Sequence, residues 1–252
     1  AQSIFPAAEC GFDGKSITLQ YEEAHAMTIR MDEGAAELLD TLHRAGYAPT
    51  WWAAACGDSL LGLTPHDWDL CTSALPQQVM ELFGAQRCIP TGLQHGTVTV
   101  KQSGALYEIT TFRTEGTYTD GRHPDEVHFV PDVRKDLARR DLTINAMAYN
   151  PRKGLVDLFE GQKDLENKVI RCVGDPLERF TEDALRIMRA VRFSAQLGFS
   201  LEEETRKALS VLAPNLKHVS AERIQVELVK LLVSPHPDYL RIAYEAGVTS
   251  EF

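Results

Sequence analysis

Residues 33–170 read as an α/β region, and residues 171–252 read as all-helical. Three observations predict this. Up to about residue 170, β-rich runs alternate with amphipathic helical stripes. Within that region, the β-rich runs 97–101 and 106–112 flank the short link Gln102-Ser103-Gly104-Ala105, which is the pattern of a hairpin. From Leu177 onward, apolar residues recur at helical spacing instead.

The elements follow in chain order. Residues 1–32 are an N-terminal extension whose first 30 residues show no sustained period. A helix is expected over 33–45, with Leu38, Leu39 and Leu42 on one face and Gly46 as its stop. Residues 51–56 read as a buried strand, and Leu60-Leu61 belong to the short segment after it. Residues 67–71 read as a second strand. Ser73 and Pro76 suit the start of a helix whose apolar stripe is Val79, Leu82 and Phe83. Residues 114–133, rich in Gly, Asp, Thr and Pro, read as a long loop, and long loops in compact domains are usually functional or disordered. The helical region opens with Leu185, Met188, Val191 and Phe193. A second run covers 202–212, and a third covers 221–232 with Ile224, Leu228, Leu231 and Leu232 apolar.

Composition narrows the function classes. Acidic residues number 36 and basic residues 26, for a formal net charge of −10. This argues against a broadly basic wrap around nucleic acid, although not against local basic patches. The longest apolar runs, such as residues 51–56, are far below the ~20 residues that span a bilayer. The start of the chain has no signal-peptide pattern. The five cysteines are scattered, odd in number and without CxxC spacing, which argues against a disulfide framework or a structural zinc site. A reducing cytoplasm is the simplest setting.

Three groups of residues carry chemistry. Asp67-Trp68-Asp69 places two carboxylates on one side of a strand, because positions i and i+2 face the same way. Such hard oxygens suit Mg²⁺, against the plainer reading of a solvated acidic turn. Glu108, in the middle of an apolar strand, is a third carboxylate, and exposure alone would also account for it. In Arg139-Arg140-Asp141, the paired guanidiniums can bind phosphate oxygens. Asp141 and Asn145 would share a face toward a ribose hydroxyl if the segment is helical; ordinary salt bridges at a helix start are the alternative. In Glu182-Asp183-Ala184-Leu185-Arg186, a helix would set Asp183 beside Arg186. An acceptor beside a donor matches the Watson–Crick edges of cytosine and adenine and mismatches those of uracil and guanine. The plain alternative is an ion pair within one helix.

Together these stretches resemble the class II tRNA nucleotidyltransferases, the CCA-adding enzymes of the tRNA nucleotidyltransferase/poly(A) polymerase family. The resemblance rests on Leu60-Leu61-Gly62, Asp67-Trp68-Asp69-Leu70-Cys71-Thr72, Glu108-Ile109-Thr110-Thr111-Phe112-Arg113, Arg139 through Met147, Glu182 through Arg186, and Ser220-Ala221-Glu222-Arg223-Ile224, in the family's order over about 33–233. It implies an α+β fold, a polymerase-β-like palm (head, 33–170) followed by a helical neck (171–252), with body and tail helices expected to be absent. It implies catalysis by Asp67, Asp69 and Glu108, with Mg²⁺ held by Asp67 and Asp69. It assigns nucleotide binding to Arg139, Arg140, Asp141, Asn145, Asp183, Arg186, Arg189 and Arg192. The substrates would be CTP and ATP and the partner a tRNA 3′ end, with no membrane. Thr117-Tyr118-Thr119-Asp120-Gly121-Arg122 resembles the family's flexible loop, centred on Asp120, Gly121 and Arg122. That loop favours CCA addition over poly(A) addition or CC-only addition.

One motif departs from the family. Where its members carry Gly-Gly-x-Val-Arg-Asp, this chain has Ala53-Ala54-Ala55-Cys56-Gly57-Asp58. Two added Cβ atoms and a missing guanidinium are expected to weaken triphosphate binding. The competing readings are a bacterial poly(A) polymerase-like enzyme, a catalytically weak palm domain that binds nucleotide or RNA, and a DxD glycosyltransferase. The glycosyltransferase would leave the base-reading residues without a role.

Overall fold

The computed structural model describes residues 9–12, 16–20, 26–30, 32–52, 69–116, 126–150 and 154–252. They group into two compact units, one containing 1–114, 127–137 and 147–158 and the other 115–126, 138–146 and 159–252. Residues 138–146 and 159–170, read from sequence as part of the head, thus cluster with the helices.

The first unit begins with three strands where the sequence shows no period. β1 (Glu9–Phe12), β2 (Ser16–Gln20) and β3 (Ala26–Arg30) form an antiparallel meander. Next comes α1 (Glu33–Arg44), close to the span expected. Asp32 caps it by accepting from the Ala35 amide at 3.0 Å, and Gly46 follows at φ +87°, a conformation that suits glycine.

The main sheet is built from β4 (Thr50–Trp52), β5 (Asp69–Thr72), β6 (Cys88–Gly92), β7 (Thr97–Gln102), β8 (Ala105–Thr111), β11 (Met147–Asn150) and β12 (Gly154–Asp157), in the order β12-β11-β4-β5-β8-β7-β6. β4 is shorter than the strand expected over 51–56, and residues 53–56 lie outside the described residues. The β5–β8 pair is parallel and its neighbours antiparallel. A parallel pair needs a crossover, and the chain between β5 and β8 includes α2 (Pro76–Phe83).

The expected hairpin is present and tighter than the sequence suggests. Gln102 pairs with Ala105, leaving only Ser103 (φ 50°) and Gly104 (φ 84°) in the turn, the positive-φ pair of a type I′ turn. Leu38, Leu39 and Leu42 of α1 and Val79 and Phe83 of α2 pack with Leu70, Val98, Val100, Tyr107, Ile109 and Tyr149 of the sheet. Alternation then puts Asp69, Glu108 and Thr99 on the opposite face. The stretch read as a loop over 114–133 is partly ordered. β9 (Arg113–Glu115) pairs with β10 (Val127–Phe129), and α3 (Val133–Ala138) follows. Strand β9 leads into residues 117–125, which lie outside the described residues.

The second unit contains α4 (Gly161–Glu166), a short parallel pairing of β13 (Val169–Ile170) with β14 (Ser200–Leu201), α5 (Pro176–Glu182), α6 (Leu185–Leu197), α7 (Glu203–Leu212), α8 (Ala221–Leu232) and α9 (Leu240–Glu245). The three expected helical runs are α6, α7 and α8. Helix α6 ends at Gly198 (φ +67°), where an added Cβ would also approach the His236 ring within 2.7 Å. No helix of the described residues is long and apolar enough to cross a membrane.

Candidate active site

The acidic part of the site lies on the first unit. In the sheet register Asp69 of β5 is the Cα partner of Glu108 of β8, and Glu108 is the partner of Thr99 of β7. The three form one row across adjacent strands spaced about 4.8 Å apart. Both carboxylates are exposed, while their chain neighbours Leu70 and Ile109 are fully buried on the other face. Hydrophobic alternation therefore sets both acids on one solvent-facing surface. Asp67 and the Ala53–Asp58 motif lie outside the described residues, and no group of three metal-ligating side chains occurs among those described. The loop residues Asp120, Gly121 and Arg122 lie outside them as well.

The second unit holds the remaining candidates, and two local expectations fail there. Residues 139–145 are not an α-helix. Arg139 and Arg140 are half-buried and lead into residue 141, and Thr143–Asn145 form one 3-10 turn. The reason is non-local pairing. Val173 N–H donates to Asp141 O at 3.0 Å, Leu142 bridges Cys172, and Thr143 N–H donates to Arg171 O at 2.9 Å. Asp141 and Asn145 therefore do not share a helical face. Asn145 is half-buried, whereas Asp141 is buried, accepting from Arg189 Nε at 2.6 Å and from the Leu142 amide at 2.8 Å. Burial alone would raise the Asp141 pKa, but the charge and hydrogen bond of Arg189, the charge of Arg186 and the Leu142 amide outweigh it and hold the carboxyl at about 2. Arg189 is in turn held above its ordinary value, chiefly by Asp141.

The second expectation concerns Asp183. Helix α5 ends at Glu182, and Asp183 follows with extended backbone (φ −143°, ψ 106°) before α6 begins. Asp183 and Arg186 thus do not sit one turn apart on a single helix, and they do not pair with each other in the way the plain reading expects. Asp183 accepts from the Leu185 amide at 3.0 Å and from Arg223 Nη2 of α8 at 2.7 Å. Arg186 is 9% exposed. Its Nη1 donates to Glu182 and to Arg179 O at 3.2 Å, and its Nη2 donates to Arg139 O at 3.3 Å. The acceptor and the donor are each braced separately, one by α8 and the other by α5 and the Arg139 carbonyl.

Arg192 is placed differently from the other candidates. Its Nε donates to Glu227 of α8 at 2.7 Å, its Nη1 donates to Gln196 at 2.8 Å, and both charged partners are buried. Its guanidinium lies 3.6 Å from the centre of the Phe193 ring. These contacts tie α6 to α8. Sequence reading placed Thr143 and Arg223 inside motifs without a role of their own, and it missed Glu227 and Asp164. Glu227 had a signal: it falls between Ile224 and Leu231 on the buried stripe of α8, where an acid requires a partner.

The sheet, its exposed acidic row and the helices that follow it in the chain have the fold of the polymerase-β-type nucleotidyltransferases. The *Bacillus stearothermophilus* CCA-adding enzyme in complex with CTP superposes with a TM-score of 0.78 at 40% identity, covering 86% of this chain and 52% of that one. The *Thermotoga maritima* CCA-adding enzyme complexed with tRNA gives 0.71 at 26% identity, covering 86% and 51%. The family model for the poly A polymerase head domain matches residues 55–171, and that for the probable RNA- and SrmB-binding site of polymerase A matches 198–251. The CCA-adding enzyme of *Leuconostoc mesenteroides* is 51% identical over 199 residues, covering 79% of this chain and 49% of that enzyme. That of *Lactobacillus helveticus* is 51% identical over 202 residues, covering 80% and 50%. This chain belongs to the tRNA nucleotidyltransferase/poly(A) polymerase family. It spans about half the length of the curated relatives it matches.

Proposed function

We propose that the chain adds C and A nucleotides to a tRNA 3′ end without a template, taking CTP and ATP as substrates. The observation that carries this reading is the register that sets Asp69 against Glu108 on the exposed face of the sheet. Likeness to CCA-adding enzymes supports the choice of substrates. Hard carboxylate oxygens side by side, with a threonine completing the row, fit a divalent cation. Asp67 and Asp69 would hold Mg²⁺, with Glu108 beside them as the third catalytic acid. When bound, the ion supplies Lewis-acid stabilisation of phosphate charge and eases loss of the 3′-hydroxyl proton.

The chain's own residues divide the remaining work. Arg139 and Arg140 bind phosphate oxygens, and Asn145 meets the ribose. Asp183 accepts from the exocyclic amino group of C or A, and Arg186 donates to the ring nitrogen beside it. Asp141 acts by holding Arg189 in place. The loop at Asp120, Gly121 and Arg122 adjusts the site between cytosine and adenine. We assign residues 33–170 to the head, 171–252 to the neck and 1–32 to an extension, and we place the chain in a reducing cytoplasm on its scattered cysteines.

The test is incorporation of labelled CTP and ATP into tRNA lacking its 3′ end. Asp69→Ala is expected to abolish transfer while preserving the thermal melt, because removing one of two adjacent carboxylates relieves repulsion. An Asp69→Ala chain that kept most of its transfer rate would refute the site. The altered Ala53-Ala54-Gly57 motif favours a second reading, a palm that binds nucleotide or RNA with little turnover. CTP binding without incorporation would select it.

A further inference from the structure

The turn that carries Asn145 is held by a buried polar relay that lies outside the nucleotide-binding residues named above. Thr143 Oγ1 donates to Asp164 Oδ2 of α4 at 2.7 Å, with both residues buried. Arg171 Nε donates to both Asp164 oxygens, at 3.2 and 3.1 Å, while the Arg171 carbonyl accepts from the Thr143 amide at 2.9 Å. Thr143 is therefore held through backbone and side chain at once. Arg171 also reaches Glu202 at 3.6 Å, and Glu202 caps α7 by accepting from the Glu204 and Thr205 amides.

Two features make this more than a stabilising contact. A three-residue 3-10 turn has little intrinsic stability, and this one has no side-chain cap of its own, so tertiary bonds set its orientation. A buried carboxylate is also costly to desolvate, and well-packed apolar groups stabilise a fold at least as well. What the carboxylate supplies is direction.

We infer that Asp164 is a positioning residue for sugar recognition: acting through the Thr143 hydroxyl, it orients the Thr143–Asn145 turn so that Asn145 meets the ribose hydroxyl of a bound nucleotide. This rests on the nucleotide-binding role proposed above for Asn145. The test is calorimetric titration of the full chain with CTP and with 2′-deoxyCTP, alongside a thermal melt. The parent chain is expected to prefer CTP. Asp164→Asn and Thr143→Val are expected to lose about tenfold of that preference, equivalent to about 1.4 kcal/mol. Thr143→Ser, which keeps the hydroxyl, is expected to retain it. A role confined to stability would lower the melt and leave the CTP to 2′-deoxyCTP ratio unchanged, and that result would overturn the inference. So would a parent chain that bound both nucleotides equally. If Asp164→Asn does not fold, Thr143→Val decides the matter, because it replaces only the hydroxyl, with a methyl group of similar size. Failure to extend tRNA with the ratio intact would count against the proposed reaction and leave the sugar-positioning role standing.

Discussion

Asp183 caps the first turn of α6 through the Leu185 amide and pairs with Arg223, and the proposed function adds a third demand, an acceptor for a base. Asp183→Ala is expected to cost roughly 1–3 kcal/mol of discrimination against UTP, the range for an unpaired buried polar group. It is also expected to destabilise the fold by a similar amount, because Arg223 loses its partner. Competition among all four nucleoside triphosphates reads the first effect, and urea denaturation reads the second. Unchanged preference for CTP and ATP over UTP would remove the base-reading role. Asp141 makes a prediction in pH. Its folded pKa of about 2 lies below the ~3.9 of an unfolded aspartate. Its contribution, on the order of 2 kcal/mol, is fully present above about pH 4 and is lost as pH falls toward about 2. Thermal midpoints measured across that window should fall more steeply for the parent chain than for Asp141→Asn. The residue types were legible in sequence, but their partners were not. Arg223 lies 40 residues from Asp183, and no local spacing announces the pair.

Among the elements, the hairpin was legible because its β-branched alternation is local. The two-residue turn itself became clear only from the Gln102–Ala105 pairing. Ser103 holds a left-handed φ that asparagine tolerates better. Ser103→Asn is therefore expected to raise the melting temperature, with a gain of a few tenths of a kcal/mol. Gly104→Ala is expected to cost about 1 kcal/mol, since alanine is strained at φ 84°. Equal melting temperatures for the two variants would contradict the turn type. The segment 139–145 shows the opposite case. Its composition permits a helix, but pairing of residues 141–143 with 171–173 takes its backbone groups first. Likewise, the α5–α6 break at Asp183 interrupts a sequence that reads as continuous helix.

At the scale of the whole molecule, a chain of net charge −10 must gather its cations locally to hold a triphosphate. The first motif offers none at Gly57. Restoring glycine at Ala53 and Ala54 and arginine at Gly57 is expected to tighten CTP and ATP binding in calorimetric titration. Equal affinities would assign the triphosphate to Arg139 and Arg140 instead.

The sequence by itself determined α1, α2, the 97–112 hairpin, the three helical runs α6 to α8, the acids at 69 and 108 and the family. Period-2 and helical stripes are local, and an acid between buried neighbours must face the other side of its strand. Tertiary structure alone decided the pairings: Asp183 with Arg223, Arg192 with Glu227, and Thr143 with Asp164. A side chain's partner depends on which elements pack together, and for the buried Arg192–Glu227 pair burial then makes the partner obligatory, because an unpaired charge there costs several kcal/mol.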